Sequence, residues 1–286
     1  MSRQISYYVA VFIDILGQGE KLSKIKALPN TPEDEEKFFK LFRETAGAVK
    51  GLHKTFENFF QSYSQTSDEI RADMVSWTPD MIEKFEKSKE LNLKYLKFSD
   101  TVVLYFALDK ESNVAPMRSI YSALSSTASS FLIMLSQKVP LRGAINIGIA
   151  TELEDSGIYG PILQNLHHLE SKVAEYPRII IGNELIQMIA HYEQEEIQQP
   201  TMYQTMDKAI IPRIKELIKI DTDGIKILNY LDSSIADSLK EKKAEIYQDI
   251  KLYSEEQLQN FKGNYKLICR YKRLRSYIRK NKPNWT

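Results

Sequence analysis

Short apolar runs separated by polar, turn-rich breaks pattern the first two thirds of the chain. Residues 7–15 are dense in Tyr, Val, Phe and Ile and predict a buried strand. The run ends at Leu16-Gly17-Gln18-Gly19, a turn whose glycines let backbone approach a ligand or another segment. Thr31-Pro32-Glu33-Asp34 reads as a helix start, with Thr as N-cap, Pro at the first helical position and acids in the first turn. The pattern from Phe38 onward carries that helix to about residue 60. A polar stretch, 61–79, reads as a surface connection with a short helix after it.

Residues 93–98 and 101–108 predict two strands with only Ser99-Asp100 between them, the spacing of a tight hairpin. A helix follows over about 116–138, and its Ser-rich middle, 122–130, marks close packing on a sheet. Pro140 opens a strand over 141–149, 152–157 is a polar break, and Gly160-Pro161 starts a helix reaching about residue 174. A short strand at 178–181, a helix at 184–191 and a late strand at 225–231 come next. The order predicts an α/β sandwich (α+β) on a ferredoxin-like βαββαβ core. Residues 1–231 form the catalytic domain in this reading, and 232–286 a helical, basic C-terminal extension.

Composition narrows the function classes. Of 286 residues, 43% are hydrophobic and 27% charged, enough to bury a proper core. The 39 basic and 38 acidic residues nearly cancel, so nucleic acid is not an expected partner. One cysteine, Cys269, excludes an internal disulfide framework and reads as a small core residue. The apolar runs fall far short of the roughly 20 residues that span a bilayer, and the N-terminus leads into a strand, not a signal peptide. The expectation is a cytoplasmic protein without stable membrane association. After Glu256 the charges are all basic, and Leu258, Phe261, Tyr265, Ile268 and Leu274 recur at helical spacing. That helix reads as packed on the catalytic domain, with nucleic acid or a partner as the alternative.

Two carboxylates carry the candidate chemistry. Asp14 ends an apolar strand and Asp100 sits at the hairpin tip; if the strands are neighbours, both reach one spot. Converging carboxylates repel unless a cation or proton intervenes. Hard divalent ions are held through a few carboxylates plus substrate phosphates, and two such ions assist phosphoryl transfer. Taken singly, Asp100 reads first as a turn residue and Asp14 as a helix cap. The glycine turn and the strand order favour the pair.

In these segments the chain resembles the class III nucleotidyl cyclase family. Phe12-Ile13-Asp14-Ile15-Leu16-Gly17 matches the first metal-binding Asp and its turn, and Lys97-Phe98-Ser99-Asp100-Thr101 the second, in a hairpin. Leu141-Arg142-Gly143-Ala144-Ile145-Asn146-Ile147-Gly148 looks like the family's Arg-x-Gly-Ile strand. Ile158-Tyr159-Gly160-Pro161 running to Leu169-Glu170-Ser171 is similar to its dimer-arm helix. Four and eight residues after Gly160, where the family has Asn and Arg, stand Gln164 and His168, and the purine-reading acid is replaced by Gly157. With Tyr176-Pro177-Arg178, these departures resemble the bacterial pyrimidine cyclases of Pycsar antiphage systems.

The resemblance implies cyclisation of UTP or CTP to 3′,5′-cyclic UMP or cyclic CMP, with UTP favoured. Two Mg²⁺ or Mn²⁺ ions would be held by Asp14, Asp100 and the carbonyl of Ile15. Backbone N–H groups from Leu16 and Gly17 would meet phosphates, Arg142 the triphosphate, and Arg178 would make good the missing Arg. Lys94, Tyr95 and Lys97 are the base-reading candidates. Gln164 and His168 would contact substrate, His168 at the seam of a homodimer with shared active sites, and a cyclic-nucleotide-responsive effector would act downstream. A catalytically silent nucleotide-binding or dimerisation module, and a purine cyclase, are the alternatives.

Overall fold

A computed structural model describes residues 5–64, 78–79, 82–83, 93–108, 115–153 and 157–283. The described part is a mixed α/β fold around an eight-stranded sheet. An inner strand, β1 (Ile5–Ile15), comes first, followed by a short helix α1 (Gln18–Leu22) and a long one, α2 (Pro32–Ser64). The hairpin β2 (Lys94–Phe98) and β3 (Thr101–Ala107), helix α3 (Pro116–Ser136) and strand β4 (Leu141–Leu153) complete the first half. All four strands run antiparallel to their neighbours in the spatial order β2-β3-β1-β4.

The sheet then extends beyond β4. Strand β5 (Gly157–Tyr159) folds back on the end of β4, and helix α4 (Pro161–His168) runs on into a π-turn, Leu169–Val173. Strand β6 (Ile179–Ile181) pairs parallel to β4. Helices α5 (Asn183–Gln194) and α6 (Met202–Glu216) lead to β7 (Ile218–Ile220) and β8 (Lys226–Leu228), and β8 pairs with β6. The chain ends in α7 (Ser233–Leu239), α8 (Lys243–Asn260) and α9 (Tyr265–Lys280).

Helix α2 forms where Thr31 accepts a hydrogen bond from the Asp34 N–H at 3.2 Å and acids occupy the first turn. Its buried residues, Thr45, Val49, Leu52, Phe56 and Phe60, repeat every three or four positions, and Phe60 meets Phe106 of β3. Helix α3 is buried nearly all round, which its Ser and Ala residues permit by their small size. Ser126 and Thr127 satisfy their hydroxyls on the carbonyls one turn back, at 2.5 and 2.7 Å. Its N-terminus is capped from a distance: the Asp207 carboxylate of α6 accepts from the N–H groups of Met117 (3.1 Å) and Arg118 (2.9 Å).

Three elements depart from the sequence reading. The expected polar break at 152–157 instead continues β4 through Leu153, with Thr151 opposite Tyr159 in β5. Helix α6 and strand β7 were not foreseen, although Thr201 and Gln204 form a reciprocal capping box at the start of α6. Most of the expected surface connection at 61–79 lies outside the described residues, while 61–64 complete α2. The C-terminal helices share the common core, with Tyr277 of α9 packed on Tyr230 at 4.7 Å between ring centres.

Candidate functional site

Strand register assembles the site. Directly opposed residues of antiparallel strands project from the same face, so Phe98, Thr101, Asp14 and Arg142 form one row across β2, β3, β1 and β4. The hairpin turns in two residues, with Ser99 in the left-handed region (φ 53°), and the Ile15 N–H donates to the Asp100 carbonyl at 3.0 Å. Asp100 is thereby fixed at the end of β1, next to Asp14.

The two acids feel each other. The Asp14 carboxyl is raised to about 6: burial is the largest cause, the charges of Glu170 and Asp100 add to it, and Arg142 and the Thr101 hydroxyl pull the other way. Arg142 Nη2 lies 3.6 Å from Asp14 Oδ2, but Arg142 Nε donates to Glu170 Oε1 at 2.5 Å and Nη2 also pairs with that oxygen. Glu170, only 3% exposed, is held there by the π-turn, in which the Ala174 N–H reaches back to the Leu169 carbonyl at 2.9 Å.

The donor set suits a hard divalent cation. Among the described residues no cluster of three or more His, Cys, Asp or Glu side chains is arranged to hold a metal. An ion at this site would rest on Asp14 and Asp100, completed by main-chain, water or phosphate oxygens, the coordination Mg²⁺ favours.

Several candidate residues are placed otherwise than expected. The Leu16 N–H donates to the Pro140 carbonyl at 3.0 Å, so it is not free for a phosphate. Gly17, at φ 86°, turns the chain into α1. Arg178 is 1% exposed, and all five guanidinium hydrogens are taken. They go to the carbonyls of Val173 and Ala174 (2.8 Å each) and to Asp221 (2.6 Å) and Asp223 (2.8 and 3.1 Å). The proposed second guanidinium is therefore a structural one.

Alternation along β2 divides the base-reading candidates. Lys94 shares the face of Asp14, where it pairs with Glu152. Tyr95 and Lys97 point to the opposite face: Tyr95 packs on His53 of α2 at 4.0 Å, and Lys97 lies over the Tyr95 ring at 4.5 Å. Tyr95 and Lys97 cannot read a base bound beside Asp14. Phe98, which the sequence reading left without a role, is 51% exposed in the row of Asp14. Gln164 and His168 are exposed one turn apart on α4, while His167 packs edge-on to Phe12 at 6.0 Å. Gly157 sits at φ 76°, a backbone conformation strained for any side chain, and a Cβ there would lie 2.3 Å from Leu96 Cδ2, which would have to move aside.

A cavity of about 760 Å³ opens near the other end of β1, lined by Tyr7, Ile149, Ile162, Glu184 and His191 among others. It contains neither Asp14 nor Asp100. No helix among the described residues is long and apolar enough to cross a membrane.

No family model and no curated protein matches the sequence. Among solved structures, that of a bacterial light-regulated adenylyl cyclase is similar over 86% of this chain and 99% of that one, with a TM-score of 0.38 and 11% sequence identity.

Proposed function

We propose that the chain is a nucleotidyl cyclase, acting on a pyrimidine ribonucleoside triphosphate, UTP ahead of CTP. The 3′-oxygen of the ribose attacks the α-phosphorus, a new P–O bond forms, and pyrophosphate leaves with the electrons of the broken P–O bond. The observation that carries this reading is the meeting of Asp14 and Asp100, from strands remote in sequence, with Asp14 raised to about 6 by burial and by its acidic neighbours. The spatial order β2-β3-β1-β4 with helices α2 and α3 as crossovers is the βαββαβ arrangement and supports it.

Asp14, Asp100 and the Ile15 carbonyl would hold two Mg²⁺ or Mn²⁺ ions, which supply Lewis acidity for the 3′-hydroxyl and countercharge for the phosphates. Arg142, oriented by Glu170, presents positive charge at the edge of the carboxylates, where the triphosphate must lie. Phe98 offers an exposed ring in the same row for a base to stack on. Gly157 carries no side chain where the resembling purine cyclases have an acid, in keeping with a pyrimidine substrate. Gln164 and His168 are turned outward on α4, as residues shared across a homodimer would be. The product would act on a cyclic-nucleotide-responsive effector, as in Pycsar defence.

Incubating the purified protein with each of the four ribonucleoside triphosphates and Mn²⁺, with products identified by mass spectrometry, tests this. Cyclic UMP or cyclic CMP is expected from the wild type, and none from Asp14→Ala or Asp100→Ala. Cyclic AMP or GMP alone would refute the pyrimidine assignment. A nucleotide-binding module without turnover is the second reading, favoured by the prior engagement of Arg142 with Glu170. Nucleotide binding with no cyclic product would select it.

A further inference from the structure

Asn146 has no packing reason to stand where it does. It lies between Ile145 and Ile147 in β4 and is only 1% exposed. A buried carboxamide is unfavourable unless its polar atoms find partners. Here they do. The two Nδ2 hydrogens go to Asn165 Oδ1 of α4 at 2.7 Å and Glu184 Oε2 of α5 at 2.5 Å, and Oδ1 accepts from the Leu185 N–H at 3.1 Å. Gly182 closes on the same group: a Cβ there would lie 2.0 Å from Asn146 Cγ, so a side chain at that position would displace the carboxamide.

Two side chains from different helices are thus tied to one buried nitrogen and held side by side. Both Asn165 and Glu184 line the cavity of about 760 Å³, and Asn146 engages only one oxygen of each. The Asn165 amide hydrogens and Glu184 Oε1 have no partner among the described residues. A donor and an acceptor are therefore left over, on neighbouring groups that a common anchor orients. The walls around them include Tyr7, Ile149, Met188 and Tyr192. Small-molecule sites have this character: about 300–1,000 Å³, mostly apolar, with a few fixed polar groups.

We propose that this cavity binds a planar heterocycle of the nucleobase kind, with its hydrogen-bonding edge on Asn165 and Glu184 and its faces on the apolar walls. Such rings carry a donor next to an acceptor, either an amine beside a ring nitrogen or a ring N–H beside a carbonyl. The Glu184 carboxylate accepts from the first and the Asn165 amide donates to the second, as these side-chain types do to base edges elsewhere. Asn146 is a positioning residue, acting through the two groups it holds. The site is distinct from Asp14 and Asp100, neither of which lines the cavity, and it does not depend on the cyclase reading.

The test titrates the full-length protein with adenosine, guanosine, cytidine and uridine by calorimetry in the presence of EDTA. Nucleosides carry no phosphate to be drawn to Arg142, and EDTA removes any ion from the two carboxylates. Saturable binding of at least one nucleoside, one per chain, is expected. Glu184→Ala should weaken it by about tenfold or more, the scale of a hydrogen bond to a charged group, and Asn165→Ala by less. Both substitutions also take a partner from Asn146, so Met188→Trp is added. It fills the cavity from its wall, leaves the bonds of Asn146 in place and should abolish binding in a chain that still melts cooperatively. Asp14→Ala should bind as the wild type does.

Failure of all four nucleosides to bind overturns the assignment. So does binding that Met188→Trp and Glu184→Ala leave unchanged, or binding that Asp14→Ala removes, which would place the nucleoside at the carboxylates.

Discussion

Asp14 and Arg142 are directly paired across β1 and β4, with Nη2 3.6 Å from Oδ2, yet the shorter bonds of the guanidinium go to Glu170. The arginine is thus pulled off the carboxylate by a third acid. Asp14 keeps its negative charge only partly offset and stays available to a cation.

Removing that third acid should show its purpose. Glu170→Ala breaks a buried ion pair, and a loss of about 3–5 kcal/mol in chemical denaturation is expected. Glu170→Gln keeps the shape and lets Arg142 close on Asp14, so the Mn²⁺ concentration needed for half-maximal cyclisation should rise. An unchanged metal requirement in Glu170→Gln would count against this arrangement.

Arg178 should behave as a purely structural residue. Arg178→Ala leaves the acids Asp221 and Asp223 without their buried partner, at an expected cost of about 3–5 kcal/mol. Cyclase activity per folded molecule should survive in whatever fraction remains native. Selective loss of kcat with native stability would return Arg178 to the chemistry.

Phe98→Ala separates packing from recognition. The ring is 51% exposed, and exposed positions of this kind usually change stability by no more than about 0.5 kcal/mol. KM for the nucleotide should nevertheless rise, with kcat less affected. Equal KM values in variant and wild type would exclude stacking on this ring.

Asp207 gives stability a pH dependence of defined sign. Burial lifts its carboxyl from 3.8 to about 6 against the N–H groups of Arg118 and Met117 and the Arg118 charge, which lower it. The folded state therefore binds the proton more tightly than the unfolded state. The contribution of this group is full below pH 3.8, is lost as pH rises towards about 6, and is flat above. The difference in unfolding free energy between wild type and Asp207→Asn, measured across that range, should fall with rising pH. A difference that is constant or rises would contradict the assignment.

Asp14 and Asp100 were legible in sequence because each interrupts or ends an apolar run, where an acid has no packing reason to be. Their convergence was legible only as a condition, since it depends on β1 and β3 being neighbours. Glu170 was read as part of a motif and given no role. Its partner Arg142 lies 28 residues away, and the π-turn shifts the helical phase that would have oriented it. Arg178 was misassigned because its partners Asp221 and Asp223 stand 43 and 45 residues downstream, on a turn whose place against β6 no local pattern reveals. The faces of Tyr95 and Lys97 follow from strict two-residue alternation once the hairpin is regular. The Thr201 capping box was readable but unused, and Pro212 inside α6 interrupts the local helical pattern.

The seating of Tyr277 against Tyr230, with Leu274 and Ile278 in the shared core, ties the last helix to the sheet that the first strand begins. Asp14 is therefore synthesised well before the helix that closes the core behind it, and cutting α9 away would bare Tyr230 and the apolar face it covers, a loss felt across the whole sheet.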